Sequence, residues 1–353
     1  MLHNNNKPAI LVAFPSMKNR NTGFYYFGRS LGNALLGQNK KFNLTYYLPK
    51  SGCDEFEGRV DIIKVSPLHR FLFLPATRFQ VVHHTDQLCE LRPDKVKGKK
   101  ILTIHDLNFL HQTPDNTSRI KKYLNRVGKN IHACDQIVTI SHFVKNEVLS
   151  YFPNIAHKIQ VIYNGADRLA VVENQKPLYE PKKPFLFTIG VVRPKKNFHV
   201  LPALLANNDF ELIVAGRDSS YRKQIVEEAH RFNCVDRVKL IGPISDADKA
   251  WYYQNCLAFV FPSIAEGFGL PVVEAMHFGK PVFLSKHTSL PEVGGNAAYY
   301  FNSFDPEEMQ RAFINGLNDF QKHNRQQAII EHAAQFSWGR AADGYLKLYA
   351  DCL

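Results

Sequence analysis

The sequence predicts an α/β protein built as two doubly wound domains. Three observations carry this expectation. Short apolar strands alternate with helical patterns through both halves of the chain, which implies parallel sheets covered on both faces. At 353 residues the chain is long for one domain and comfortable for two. Near the middle lies AVVENQKPLYEPKKP, a polar, proline-containing stretch suited to a linker.

The elements follow in order. Ala9 to Phe14 reads as an apolar strand, and a helical pattern runs from about Tyr25 to Leu36. Further strands are expected at Leu44 to Leu48, Val60 to Val65, Gln80 to His83, Ile101 to His105 and Gln136 to Ile140. The boundary is expected between Asp167 and Lys183, giving domains 1–170 and 171–337. In the second half, Phe185 to Ile189, Phe210 to Ala215, Val238 to Ile241, Leu257 to Phe261 and Pro281 to Leu284 read as strands with helices between. Ser245 and Asp246 look like the cap of a helix that carries Trp251 and Tyr252. A last helix is expected at about 338–353.

Composition narrows the function. No apolar run approaches the roughly 20 residues of a membrane-spanning helix; the candidates are FLFLPA, Phe71 to Ala76, and CLAFVF, Cys256 to Phe261. The start, MLHNNNKPAI, has no apolar signal-peptide core. A cytoplasmic location is expected, with peripheral attachment at the inner face of the cytoplasmic membrane. Cys53, Cys89, Cys134, Cys234, Cys256 and Cys352 are scattered without CxxC pairs. That argues against a zinc site or disulfide framework and for reduced, buried thiols.

The net charge of +12 lies wholly in the first half, where residues 1–170 hold 24 Lys and Arg against 12 Asp and Glu. The remainder holds 20 of each sign. That half is therefore expected to face an anionic partner: a lipid headgroup surface, a phosphorylated acceptor or nucleic acid. No nucleic-acid motif set accompanies the charge, so nucleic acid is not expected. Two segments suit either an anionic leaflet or, as readily, a core-facing helix and a solvated loop: Phe71, Phe73 and Phe79 with Arg70 and Arg78, and RPDKVKGKK from Arg92 to Lys100.

The most informative stretch is PSIAEGFGLPVVEAM, Pro262 to Met276. An apolar strand runs into a Glu-Gly-Phe-Gly turn. Pro271 sits just inside a helix start, where its fixed φ fits and its missing N–H costs nothing. Gly279, with Pro281 beyond it, stops that helix. The turn and helix start, through Phe268, Gly269 and Leu270, offer backbone N–H groups suited to a phosphate. Glu266 and Glu274 bracket them eight positions apart, and carboxylates are good acceptors for sugar hydroxyls. The combination points to a sugar bound through its diphosphate nucleotide.

This segment resembles the E-x7-E motif of the retaining glycosyltransferases of family 4, which have the GT-B fold. Further landmarks fall in the family order from about Gly23 to Tyr349. They are TGFYYFGRSL, the His83–His84 pair, TIHDL, IVTISHF, VIYNGAD, TIGVVRPKKN, LIVAG, SLPEVGGNAAYYF and FSW. The branch it resembles includes bacterial O-antigen mannosyltransferases. The resemblance implies two Rossmann-like domains with an interdomain cleft. The acceptor would bind in the first domain and the nucleotide-sugar in the second, with the last helix crossing back to the first.

Ligands of open α/β sheets bind beyond the carboxyl ends of strands. Glu266, His105, Arg193 and Lys196 all follow expected strands, so one cleft can gather them. By resemblance, Glu266 and His105 lie near the donor sugar and Glu274 accepts from ribose hydroxyls. Lys196 in RPKKN grips the diphosphate, with Arg193 and Lys195 competing for the second cationic role. Gly23 lets the first-domain backbone approach the phosphate. Asp246 and Asp248 are read as capping residues rather than a metal motif, and no metal or other cofactor is expected.

The expected function is a retaining transfer from a nucleotide-diphospho-sugar, first of all GDP-mannose, to a glycan or lipid-linked acceptor of a surface polysaccharide. A non-catalytic nucleotide-sugar-binding protein on the same scaffold is the alternative. A dehydrogenase is disfavoured, because no GxGxxG follows the first strand.

Overall fold

The computed structural model describes residues 7–20, 22–112, 116–166 and 168–353. The first six residues and Asp167, which bear on the expected start and linker, lie outside them. The chain divides into two compact units: Met1–Gly165 with Ser337–Leu353, and Ala166–Phe336.

Among the described residues, the first unit contains seven strands: β1 (Ala9–Ala13), β2 (Asn43–Leu48), β3 (Asp61–Lys64), β4 (Val81–His84), β5 (Lys99–Ile104), β6 (Gln136–Thr139) and β7 (Ile159–Val161). They form one sheet in the order β3-β2-β1-β4-β5-β6-β7. Every pairing is parallel. The second unit contains β8 (Phe185–Ile189), β9 (Glu211–Ala215), β10 (Val238–Gly242), β11 (Ala258–Phe261), β12 (Val282–Ser285) and β13 (Tyr299–Phe301). Its order is β10-β9-β8-β11-β12-β13, again all parallel. In each sheet the strand order reverses once, between β1 and β4 and between β8 and β11. Those are the switch points where loops diverge to leave a crevice.

The short strands β7 and β13 were not expected. Each has three residues and a single neighbour, so neither is long enough for an apolar pattern to stand out. The strands expected from their apolar runs do form, because residues such as Ile10, Leu11, Val12, Leu212, Ile213 and Phe259 are fully buried. A strand covered on both faces needs such a continuous run. Ser245 caps Asp246–Asn255 through a reciprocal capping box with Asp248, as the sequence suggested. The six cysteines are free, five of them buried.

The helix Trp338–Asp351 packs within the first unit. Tyr349 and Tyr345 are its anchors: the Tyr349 hydroxyl lies 2.7 Å from His83 Nδ1, and Tyr345 lies 2.9 Å from Thr103 Oγ1. His83 Nε2 in turn lies 2.8 Å from Thr103 Oγ1, and its ring stacks on Tyr345 at 4.7 Å. His83 and His84 are thus core residues. Burial holds His83 well below the ordinary imidazole value. Burial, helped by Lys100, takes His84 down to about 3.

A pH dependence follows. The folded unit resists protons that these two imidazoles accept once unfolded. Their stabilising neutrality is fully present above the unfolded value of about 6.5 and is lost as pH falls below it, by about 1.4 kcal/mol per pH unit per group. Urea midpoints measured between about pH 7 and pH 5 should therefore decline, and decline less steeply in His84→Asn. Midpoints that stay flat in the wild-type protein would contradict this assignment.

The aromatic segment, open between a leaflet-facing and a core-facing reading, divides in two. Phe73 and Phe79 are 3% exposed and join Leu11, Tyr47, Val82 and Leu91 in the core, whereas Phe71 stands 74% exposed. In RPDKVKGKK, Arg92 pairs with Asp94, Lys99 and Lys100 reach Asp135, and Val96 is buried.

Candidate active site

The second unit's switch point brings together loops that are 70 residues apart in sequence. Strands β8 and β11 are neighbours, so their carboxyl-end loops emerge side by side. After β8 the chain passes Gly190, turns through Pro194–Lys196 and leaves in a left-handed Asn197, φ 58°. After β11 it passes Ser263 and Glu266, turns at Gly269 (φ 109°) and enters the helix Leu270–Met276 with Pro271 in its first turn. A left-handed residue at that turn is cheap only for glycine. Gly279, φ 67°, lies just past the helix end.

The two loops are stitched together. The Lys195 carbonyl accepts from Ile264 N–H at 2.9 Å and lies 3.0 Å from Ser263 Oγ. Lys196 Nζ donates to Glu266 Oε1 at 2.5 Å, and Ser263 Oγ lies 2.6 Å from the same oxygen. The ion pair is largely buried, with side-chain exposures of 13% and 12%. Lys196 Nζ also sits 4.7 Å from the Phe261 ring centre, a favourable place for a cation. Burial pushes the Glu266 carboxyl up, but Lys196, Lys195 and the bonds from Lys196 and Ser263 outweigh it, leaving its pKa below the ordinary carboxylate value. Glu266 is therefore ionised at neutral pH.

The main chain around Glu266 is held as firmly. Its N–H donates to Thr288 Oγ1 at 3.0 Å, and its carbonyl accepts from Ser289 Oγ at 3.0 Å. Ser289 Oγ also lies 3.0 Å from the Phe268 carbonyl. Thr288 takes φ 55°, which is rare for a β-branched residue and persists only where surroundings impose it. Ser263, Thr288 and Ser289 had not been assigned to the site. A Thr in the left-handed region leaves no sequence signal, and Ser289 stood out only as the start of a motif.

Glu274 is the fifth residue of its helix, in the second turn. Its Oε1 accepts from Lys249 at 2.9 Å and its Oε2 from the Tyr253 hydroxyl at 3.0 Å. Burial and the neighbouring Glu274 push the Tyr253 phenol well up, so it remains a donor. Each carboxylate oxygen has two lone-pair sites, which leaves one on each for a ligand hydroxyl. Lys249 and Tyr253 were also missed, since nothing local connects them to a residue over 20 positions on.

The remaining expected residues are placed as follows. Arg193 is exposed and gives its carbonyl to Lys196 N–H at 2.9 Å. Lys195 is half-buried, and its charge acts on Glu266. Phe268 is buried, edge-on to Phe336 at 5.6 Å, so its ring belongs to the core and only its backbone faces the turn. Leu270 is half-buried.

His105 and Gly23 belong to the first unit. His105 follows β5, is 7% exposed and lies edge-on to Phe27 at 4.5 Å and Phe24 at 4.8 Å. Its Nε2 lies 2.8 Å from the Thr85 carbonyl. A carbonyl only accepts, so Nε2 carries the proton and Nδ1 presents its lone pair. Burial lowers the His105 pKa, against the opposing pull of the Thr85 carbonyl, Asp86 and Asp106; the ring is neutral at pH 7. Gly23 opens the helix Gly23–Gln38, capped by Thr22. A Cβ there would meet nothing within 4 Å, so no contact among the described residues demands glycine at this position. Among the described residues, no group of three or more His, Cys, Asp or Glu is placed to hold a metal ion.

Comparison with known proteins extends this picture. Residues 172–336 match the family described as Glycosyl transferases group 1, and residues 55–168 match Glycosyltransferase Family 4. The chain is 25% identical over 235 residues to the O-antigen chain mannosyltransferase RfbU of Salmonella typhimurium, covering 66% of this chain and 63% of that protein. It is 28% identical over 294 residues to the serotype-specific mannosyltransferase WbdA of Escherichia coli, covering 75% of this chain but 36% of that one. The alignments thus span less than two thirds of these relatives. Among solved structures, sucrose-phosphate synthase from Thermosynechococcus elongatus superposes with a TM-score of 0.77 at 19% identity, over 98% of this chain and 99% of that one. HepE of Anabaena, solved with UDP and glucose, gives 0.72 at 15% identity over 98% and 100%. Both likenesses establish the two-domain GT-B fold.

Proposed function

We propose that this chain, which belongs to the group 1 and family 4 glycosyltransferases, transfers a hexose from a nucleotide-diphospho-sugar to a hydroxyl of a glycan or lipid-linked acceptor. The observation that carries this reading is the buried Lys196–Glu266 pair at the switch point of the second sheet. It sets a fixed cation beside a fixed, ionised carboxylate where α/β sheets bind ligands. A diphosphate needs the first and sugar hydroxyls the second.

In this reading Lys196, with Lys195 as the nearer second cation, stabilises the charge that develops on the departing diphosphate. Arg193 at the rim serves incoming phosphate. Glu266 orients the sugar, and Glu274, held by Lys249 and Tyr253, accepts from the ribose. The backbone at Gly269 and Leu270 approaches the phosphates without a side chain in the way. In the first unit, His105 offers Nδ1 to a sugar hydroxyl and Gly23 leaves room for close approach. The acceptor oxygen bonds to the anomeric carbon as the bond from that carbon to the diphosphate oxygen breaks. The acceptor proton passes to the leaving phosphate, so configuration is retained without a protein nucleophile. No residue of the donor loops is needed as a metal ligand, because cations and backbone N–H groups neutralise the diphosphate. The RfbU and WbdA likenesses favour mannose, carried as GDP-mannose, and an O-antigen-type surface polysaccharide.

Thermal midpoints of the full chain with GDP-mannose, UDP-glucose and ADP-glucose test the donor. The expected result is a rise with GDP-mannose, about 2.7 kcal/mol of stabilisation at a hundredfold excess over Kd. A rise confined to a UDP- or ADP-sugar would replace the mannose assignment, and no rise with any donor would remove the support for this site.

A further inference from the structure

We propose that Thr288 is a positioning residue for the transfer: its hydroxyl, with that of Ser289, clamps the main chain of Glu266 so that the carboxylate is aligned on the donor sugar. This rests on the reading that Glu266 orients that sugar.

The setting of Glu266 calls for such a clamp. Glu266 lies between β11 and the helix Leu270–Met276, on a stretch that is neither helix nor strand. A loop holds a side chain to the tolerance of chemistry only when other groups lock it. Here the lock comes from the exit of β12, Ser285 to Ser289. Thr288 Oγ1 accepts from Glu266 N–H at 3.0 Å. Ser289 Oγ lies 3.0 Å from the carbonyl oxygens of both Glu266 and Phe268. Ser285 Oγ donates to the Ser263 carbonyl, and Ser263 Oγ in turn reaches the Glu266 carboxylate at 2.6 Å. Ser263, Ser285 and Ser289 are fully buried. Hydroxyl contacts thus run from the end of β12 to the backbone and the side chain of one carboxylate.

Two local rules are broken to build this. Thr288 holds φ 55°, a conformation that a β-branched residue keeps only under constraint. Ser289 stands at the N-cap of the helix Leu290–Gly294, yet its side chain makes no capping bond. Serine is favoured at that position because its oxygen accepts from N–H groups of the first turn; this hydroxyl is turned to Glu266 and Phe268 instead. Stability alone would place glycine at the left-handed position and leave the serine to cap. Both departures serve the same partner, and local rules give way where a site dictates the geometry. Lys196, Lys195 and Glu274 hold diphosphate and ribose without Thr288, so loosening Glu266 should act on turnover rather than on donor affinity.

The test sets Thr288→Val, which removes the hydroxyl and keeps the shape, beside Thr288→Ser, which keeps the hydroxyl, and Thr288→Gly, which frees the backbone. Hydrogen exchange of the donor-free full chain reads the clamp without any substrate. Exchange in the segment 263–268 should quicken by about fivefold or more in Thr288→Val and stay near the wild-type rate in Thr288→Ser. Initial rates are then measured with whichever of GDP-mannose, UDP-glucose and ADP-glucose raises the wild-type thermal midpoint. Thr288→Val should lower kcat by about 10–100-fold with the donor KM within about threefold, and Thr288→Ser should restore most of the loss. Thr288→Gly should melt above Thr288→Val, because it sheds the backbone strain, yet turn over no faster; a merely structural threonine would make activity follow stability. Adding Thr288→Val to Glu266→Gln should cost little more than Glu266→Gln alone, since Thr288 acts through Glu266. Unchanged exchange, wild-type kcat in Thr288→Val, or fully additive losses in the double variant would each overturn the proposal. Wild-type turnover in Glu266→Gln would instead remove the role of Glu266, and the proposal with it, even where exchange shows the clamp intact.

Discussion

Lys196→Ala should lower turnover by about 10²–10³-fold, the scale of losing one preorganised charge aimed at the transition state. The same substitution should also destabilise the donor-free protein. Glu266 is nearly buried, and burial alone pushes its carboxyl up. Without Lys196 it retains Ser263 and the more distant Lys195. Breaking a buried pair on one side costs about 3–5 kcal/mol, because the remaining charge is left uncompensated. The double variant Lys196→Ala/Glu266→Gln separates the two effects. Its stability should recover part of the loss, since no buried charge remains, whereas its turnover should not. Initial rates with GDP-mannose and urea midpoints measured on the same preparations supply both readouts. Wild-type turnover in Lys196→Ala would remove Lys196 from the diphosphate site, and equal stability in the single and double variants would remove the coupling.

Gly216→Ala is expected to abolish folded protein or cost more than about 4 kcal/mol, the range kept for severe core or backbone clashes. Gly216 follows β9 with φ 125°. A Cβ there would lie 2.0 Å from the Gly190 carbonyl oxygen, and backbone cannot swing aside as a side-chain end can. The same junction sets the donor loop. Gly216 N–H bonds to Gly242 O at 2.8 Å, Gly190 N–H to Ala215 O at 3.0 Å, and Val192 N–H to Arg217 O at 3.0 Å. The loop that carries Lys196 thus leaves its strand braced against the β9 exit. Circular dichroism and thermal melting of Gly216→Ala beside Gly37→Ala give the comparison, since a Cβ at Gly37 would meet nothing within 4 Å. An unchanged melting point for Gly216→Ala would show that the junction yields.

Much of this was legible in the chain itself, and the reason is locality. Apolar runs such as Ile10–Val12 and Leu212–Val214 announce buried strands, because a strand covered on both faces needs a continuous apolar run. Ser245 and Asp248 announce a helix start, and Pro271 and Gly279 announce where another begins and ends, through chemistry spanning three or four residues. The strands β7 and β13 escaped because three residues are too few for a pattern. The surface character of Phe71, Phe73 and Phe79 could not be separated by type, since one aromatic residue reads like the next until the core claims two of them.

For the candidate site, sequence determined which residue kinds were present and that each followed a strand: Lys196 after β8, Glu266 and Glu274 around the turn after β11. That Lys196 grips Glu266, that Thr288 and Ser289 hold the Glu266 backbone, and that Lys249 and Tyr253 occupy one lone pair on each oxygen of Glu274 were decided by tertiary structure alone. These partners are 21 to 70 residues apart. They meet because β8 and β11 are neighbours at the point where strand order reverses, and strand order is a property of the whole sheet that no local stretch of sequence encodes.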